Sequence, residues 1–298
     1  MPEAFLKARG LLGDRTAAAE LATLAADPWP QRRKEGEAGL DALVARHGRP
    51  AVLADLGDLR PEDRVFRIRM RHRDGEEVTD MLADPDRAVA HLAQSLLTDA
   101  DRLRGYLDEA PTVEAKLWAA YALHRLTGDA AETGALYDTL GRPLVEVTGL
   151  DEELRSAIVH EYGRSCQRQS DPRWRIEALC TEPPVRPDPD EQLRRAAGAL
   201  TAAGRLPQPP VSCGEYHRQG GGTYHVIKFD GGALLVSTLG RFATGRDVDA
   251  GVRQALESAG FRWIDEAVGA ITVDGLCVYY FGRREPLDIR DLLFYWQD

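Results

Sequence analysis

Residues 112–128 read TVEAKLWAAYALHRLTG, and the reading of this stretch decides the fold. Thr112 is placed to accept a hydrogen bond from a first-turn backbone N–H, as helix N-caps do. Pro111 just ahead keeps an earlier helix from running through, because the residue before a proline avoids the α region. Ala115, Trp118, Ala119 and Ala122 keep a three-and-four spacing, and Leu117, Tyr121 and Leu126 widen the apolar stripe. Gly128 supplies the left-handed residue that ends many helices. The spacing predicts one amphipathic helix with a start, a packed face and a stop.

The same pattern recurs. Segments opening at Asp86, Thr112, Asp151 and Asp190 each begin with a capping residue, with an apolar position three residues on: Val89, Ala115, Leu154 and Leu193. Further small or apolar pairs follow at Leu92/Ala93, Trp118/Ala119, Ala157/Ile158 and Ala196/Ala197, and three of the segments carry a basic residue at Lys116, Arg155 or Arg194. The starts lie 26, 39 and 39 residues apart. A spacing near 40 is what a two-helix repeat needs, and small alanines let neighbouring helices approach closely. The pattern resembles the HEAT-type α-solenoid family, in which Asp-capped helices with an L-R-x-A-A core recur. The resemblance covers about residues 60–206 and extends toward the N-terminus through 16–24 and 36–47. It implies a curved surface that docks a partner, usually a protein and sometimes a nucleic acid, and it implies no shared chemistry.

The bulk numbers agree with a soluble protein of roughly two domains. The chain has 298 residues, 43% hydrophobic and 29% charged, with a formal net charge of −10. From Pro207 on there are 9 Lys+Arg against 12 Asp+Glu, and upstream 29 against 36, so both parts are mildly acidic. That balance argues against a dedicated nucleic-acid binder, which needs excess basic charge, and favours a partner with basic patches. Cys166, Cys180, Cys213 and Cys277 are scattered and form no CxxC pair, which is neither a disulfide framework nor a zinc signature. No run approaches the roughly 20 apolar residues of a membrane helix, and the start lacks the apolar core of a secretory signal. The expectation is a cytoplasmic protein with no membrane partner and no cofactor. Basic residues that are nearly all arginine suggest a GC-rich bacterial genome.

Residues 63–73, DRVFRIRMRHR, admit two readings. As a strand, Phe66, Ile68, Met70 and His72 share one side and Arg67, Arg69, Arg71 and Arg73 the other. As a helix, Val65, Ile68 and His72 share a face, and the repeat context favours this reading, with Pro61 in the first turn. The four arginines are candidates for holding a phosphate or an acidic partner. The plainer reading pairs them with nearby acids such as Glu76, Glu77, Asp84 and Asp86.

Two proline-rich stretches, EPPVRPDPD at 182–190 and LPQPP at 206–210, interrupt the array. The sequence divides at Pro207 into a helical repeat domain, 1–206, and a small α+β domain, 207–298, because the apolar period changes there from 3.6 to 2. Asp230-Gly231 marks one hairpin turn and Asp274-Gly275 a second. Between them Asp247 opens a helix closed by Gly260, and residues 261–265 suit a strand. The last residues, PLDIRDLLFYWQD, suit a short helix packed through Leu292, Leu293 and Trp296. The fold class expected is mainly α, an α-solenoid followed by a small antiparallel-sheet domain.

Catalytic candidates lie in SCGEYHRQGGGTYH, residues 212–225. If 211–218 is a strand, Cys213, Glu215 and His217 alternate onto one face, and a turn at 220–222 brings His225 near. A thiol beside an imidazole can become a thiolate nucleophile, with a carboxylate orienting the base, or the set can ligate a metal. The plainer reading buries Cys213 and leaves the histidines exposed. The glycine run is no P-loop, since no Lys-Ser or Lys-Thr follows, and Ser237 lacks the glycines of a nucleophile elbow. His91, His124 and His160 read as polar edges of packed helix faces. The aromatics Tyr279, Tyr280, Phe281, Phe294, Tyr295 and Trp296 can form a core or, through Tyr279, Tyr295 and Trp296, a binding surface.

The function expected is a non-catalytic binding or adaptor protein. The helical repeat surface docks a protein partner, and the C-terminal domain is a cap or a second contact surface. Two alternatives stand beside it: a cysteine- or metal-dependent hydrolase or transferase built on Cys213 with His217 or His225, and a nucleic-acid-interacting protein using Arg67–Arg73.

Overall fold

The computed structural model describes residues 3–27, 29–57, 60–165 and 170–297, and its contacts divide into two compact units, Met1–Leu140 and Gly141–Asp298. The described residues of the first unit form helices α1 (Glu3–Leu11), α2 (Ala18–Ala25), α3 (Pro30–His47), α4 (Arg49–Leu56), α5 (Pro61–Arg73), α6 (Arg87–Leu96), α7 (Ala100–Glu109), α8 (Val113–Thr127) and α9 (Ala130–Thr139). Helices close in sequence pack on one another: α3 on α1 and α2, α5 on α2 and α6, and α8 on α6, α7 and α9. Close approach at α3 depends on glycine. A Cβ at Gly36 would lie 2.3 Å from the Ala25 nitrogen, and one at Gly10 would lie 2.6 Å from the Gly39 oxygen.

The stretch 112–128 folds as its sequence requires. The Thr112 hydroxyl accepts from the Ala115 N–H at 3.1 Å, Trp118 and the alanines are buried, and Gly128 ends the helix with φ +69°. Asp86 and Asp151 cap their helices through their carboxylates. The fourth start lies earlier than Asp190: Asp188 accepts from the Glu191 N–H at 2.8 Å, Pro189 takes the first turn, and Asp190 lies inside the helix. Residues 63–73 are helical, with Val65, Phe66, Ile68 and Met70 buried.

The second unit begins with α10 (Glu152–Tyr162), α11 (Pro172–Cys180) and α12 (Pro189–Ala202). It continues through β1 (Val211–Ser212), α13 (Cys213–His217), β2 (Gly221–Gly222), β3 (Tyr224–Phe229), β4 (Gly232–Ser237), β5 (Phe242–Arg246), α14 (Ala250–Ser258), β6 (Arg262–Trp263) and α15 (Glu266–Gly269). It ends with β7 (Thr272–Tyr280), β8 (Arg283–Asp288), α16 (Ile289–Leu293) and β9 (Trp296–Gln297). The main sheet has the order β1-β3-β4-β5-β6, antiparallel except for the β5–β6 pair. Alternation along the strands supplies two cores. Ile227, Phe229, Leu234 and Val236 pack with Ala196, Leu200, Val252 and Leu256 of α12 and α14. Tyr224 and Val226 join Leu154, Ile158, Trp174, Leu276 and Leu292. The chain is therefore mainly helical with an α+β C-terminal part. Contacts divide the chain at Leu140–Gly141, and the helices that follow, α10, α11 and α12, all pack with strand residues of the second unit.

Several local expectations are corrected. Asp274-Gly275 is not a hairpin turn: it sits at an irregularity inside β7, which pairs with β8. The Trp174 indole donates to the Asp274 carbonyl at 3.1 Å and the Asp171 N–H to the Gly275 carbonyl at 2.8 Å, so α11 holds this irregularity in place. The turn is Phe281-Gly282. Residues 242–246 form a strand that sequence reading passed over, and the helix after it is capped by Asp249 rather than Asp247, which has φ +58° in the turn between them. The hairpin at Asp230-Gly231 is present, as is the short C-terminal helix. No helix among the described residues is long and apolar enough to cross a membrane. Cys166 lies outside the described residues.

Candidate functional site

The segment SCGEYH is not a strand beyond Ser212. Ser212 and Glu215 form a capping box: the hydroxyl accepts from the Glu215 N–H at 3.2 Å, and the carboxylate accepts from the Ser212 N–H at 2.8 Å. That S-x-x-E signal starts α13 and overrides the alternation that would have aligned Cys213, Glu215 and His217. Cys213 is consequently buried in the core, 2% exposed. The hydrogen bond from the Ser212 backbone, followed by that from its hydroxyl, holds the Glu215 carboxyl below its ordinary range, and His225 adds a smaller electrostatic effect. His225 lies half-buried on β3, opposite Ser212. His217 shares a 2.8 Å hydrogen bond with the Tyr224 hydroxyl. The four candidates are thus neighbours without a nucleophile–base pair. Among the described residues no three His, Cys, Asp or Glu side chains converge as a metal site.

The arginines of α5 are engaged within the first unit. Arg69 pairs with Glu37, Arg71 with Asp80 at 3.0 Å and Arg73 with Asp41 at 3.0 Å, while Arg67 donates to the Gly57 carbonyl at 2.7 Å. The histidines of the helices have local partners: His91 lies edge-on to Trp118, His124 meets Thr133 and His160 meets Thr181. Ser237 is buried and donates to the Leu293 carbonyl at 2.7 Å.

What the second unit presents outward is a ladder of rings. Tyr216 lies edge-on to His217, with centroids 5.0 Å apart, and the His217 ring stacks on Trp296 at 4.2 Å and 27°. Trp296 meets Phe281 at 5.4 Å, and Phe281 meets Tyr280 edge-on at 4.7 Å. Lys228 places its ammonium 5.0 Å from the Tyr216 ring centroid, a cation–π distance. Phe281 is 49% and Tyr216 42% exposed, and Tyr279 is also exposed. Tyr295, by contrast, is buried, and its hydroxyl meets the Tyr279 carbonyl. Burial pushes the Tyr224 phenol up to about 12.

Phe281 is strained as well as exposed. It has φ +42° and Gly282 has φ +87°, so the two-residue loop between Tyr280 and Arg283 has positive φ at both central positions. That is the handedness of a type I′ turn, which Asn-Gly or Asp-Gly adopts readily. A bulky L-residue there is an outlier, and the left-handed region costs it about 1–2 kcal/mol. The sequence offers Phe281 only as one of six clustered aromatics, and it does not single out Tyr216 or the stacking role of His217. A Phe-Gly pair at the start of FGRRE, where a turn favours Asn-Gly, was the available signal.

The chain matches no family model, no curated protein and no solved structure.

Proposed function

We propose that the chain is a non-catalytic cytoplasmic binding protein. The helices of its first unit, read with the HEAT-like recurrence of the sequence, offer one surface for a protein partner. The aromatic ladder of the second unit is a second contact surface. The observation that carries this reading is Phe281, an exposed ring kept in a backbone conformation that disfavours it. Strain of that kind gathers at sites where a side chain has work outside the fold. Aromatic rings bury large area at little entropic cost, which is why they dominate contact energy at interfaces.

The test compares capture from native-host extract by the full chain and by its Phe281→Asn variant, which removes the ring and keeps the turn. A protein recovered by the first and lost with the second is the expected result. Equal recovery by both overturns the assignment of the ladder, and recovery of nothing above background overturns the binding reading itself.

A further inference from the structure

A small cavity in the second unit is lined by Tyr162, Val278, Tyr279, Arg284, Tyr295 and Gln297, among others, with a volume of about 230 Å³. Sites for drug-sized ligands run to roughly 300–1,000 Å³. This cavity therefore suits a single side chain or one small molecule. Three of its lining residues are tyrosines, which give it flat ring walls, while Glu161, Arg284, Gln297 and the tyrosine hydroxyls make the lining more polar than apolar.

Among the described residues its lining holds one cation, Arg284, and one acid, Glu161. Arg284 is half-buried, with its guanidinium 5.9 Å from the Tyr279 ring centroid. Among the described residues no carboxylate lies within ion-pair distance of Arg284, whereas Arg69, Arg71 and Arg73 each hold one. The acid in the cavity lining, Glu161, is already engaged by Arg186 at 2.5 Å. The half-exposed guanidinium keeps its fork of donors open to solvent, and a carboxylate matches that fork with two parallel hydrogen bonds.

We propose that this cavity binds a carboxylate carried on a flat apolar body, with Arg284 pairing to the carboxylate and the tyrosine rings covering the body. The same chemistry is presented by a free aromatic acid and by a glutamate side chain flanked by aromatics on another protein. The site stands whether or not the aromatic ladder docks a partner, since its cation and walls are different residues.

Ligand-observed NMR titration of the full chain tests it with three probes. These are benzoate, its neutral near-isostere benzyl alcohol, and a blocked Phe-Glu-Phe peptide. Benzoate or the peptide is expected to saturate, with benzyl alcohol at least about tenfold weaker. Arg284→Gln is expected to weaken the charged probes at least about tenfold, Arg284→Lys to weaken them less, and Arg253→Gln, on the exposed face of α14, to leave them unchanged. Tighter binding of the peptide assigns the site to an acidic side chain of a protein, and tighter benzoate to a free acid. Benzoate no better than benzyl alcohol, unchanged binding by a folded Arg284→Gln or Arg284→Lys protein, or no saturation by either charged probe overturns the proposal.

Discussion

Replacing Phe281 by asparagine and, separately, by alanine distinguishes the two things that residue does. Both changes remove the same ring. Because Phe281 is 49% exposed, the area lost is about half of the roughly 1.5–3 kcal/mol for a fully buried large side chain, or about 1 kcal/mol. The edge contact with Tyr280 and the tilted contact with Trp296 add about 1 kcal/mol more. Alanine keeps the left-handed strain, so Phe281→Ala costs about 2 kcal/mol. Asparagine beside Gly282 adopts the turn readily and recovers about 1 kcal/mol of that loss. The hairpin amides of β7 and β8 are then about fivefold better protected from hydrogen exchange in the asparagine variant than in the alanine variant. Protection in the alanine variant equal to or above that of the asparagine variant would refute the left-handed turn and the strain argument with it.

Three further outcomes are expected. Arg155 and Glu177 form a two-bond ion pair at 2.6 Å with side chains 9% and 8% exposed, and Arg155 lies 4.6 Å over Trp174. Removing either partner alone, as in Glu177→Gln, should cost about 3–5 kcal/mol in urea unfolding, while replacing both with methionine restores most of it. A single variant as stable as the parent would show the pair to be solvated. Gly36→Ala should lower thermal stability by separating α2 from α3, whereas Gly105→Ala, with nothing near its added Cβ, should gain about 0.5–1 kcal/mol. The reverse order would contradict the helix packing. Burial raises the phenol pKa of Tyr162, Tyr224, Tyr280 and Tyr295, that of Tyr224 to about 12. The folded unit holds these protons more tightly than the unfolded chain. Stability is therefore complete below the usual phenol value near 10 and falls as pH rises toward 12. Phenolate absorbance that grows well before unfolding would contradict their burial.

The parts of the fold legible in sequence are those where one local signal acts alone. Thr112, Asp86 and Asp151 cap helices because their side chains answer neighbouring N–H groups, and Asp230-Gly231 turns directly between the paired ends of β3 and β4. Misreadings occurred where tertiary contacts outweighed an equally good local signal. Asp274-Gly275 is as strong a turn motif as Asp230-Gly231, yet hydrogen bonds from Trp174 and Asp171 hold it as an irregularity within a strand. The helix α12 resembles its upstream counterparts in sequence, but its apolar face is covered by a sheet. A periodic stripe says that a face is covered and not by what.

The candidate site was legible only as separate pieces, for a related reason. Its rings come from three separate segments, at 216–217, 280–281 and 296, and the pairing of β2 with β9 links the first to the last. That pairing explains Gly222, which reads in sequence as part of an ordinary turn. A Cβ on Gly222 would sit 1.9 Å from the Tyr295 oxygen, so any larger residue would push β9 away. With β9 displaced, Trp296 would leave His217, and the middle of the ladder would be lost. Gly222 lets the backbone of the last strand come close enough for its tryptophan to stack, and Phe281 reaches the same ring from a turn that disfavours it. Two segments that depart from their easiest local solution converge on one half-buried side chain, Trp296. That convergence, more than the exposure of any single ring, is the argument that the ladder serves something outside the fold.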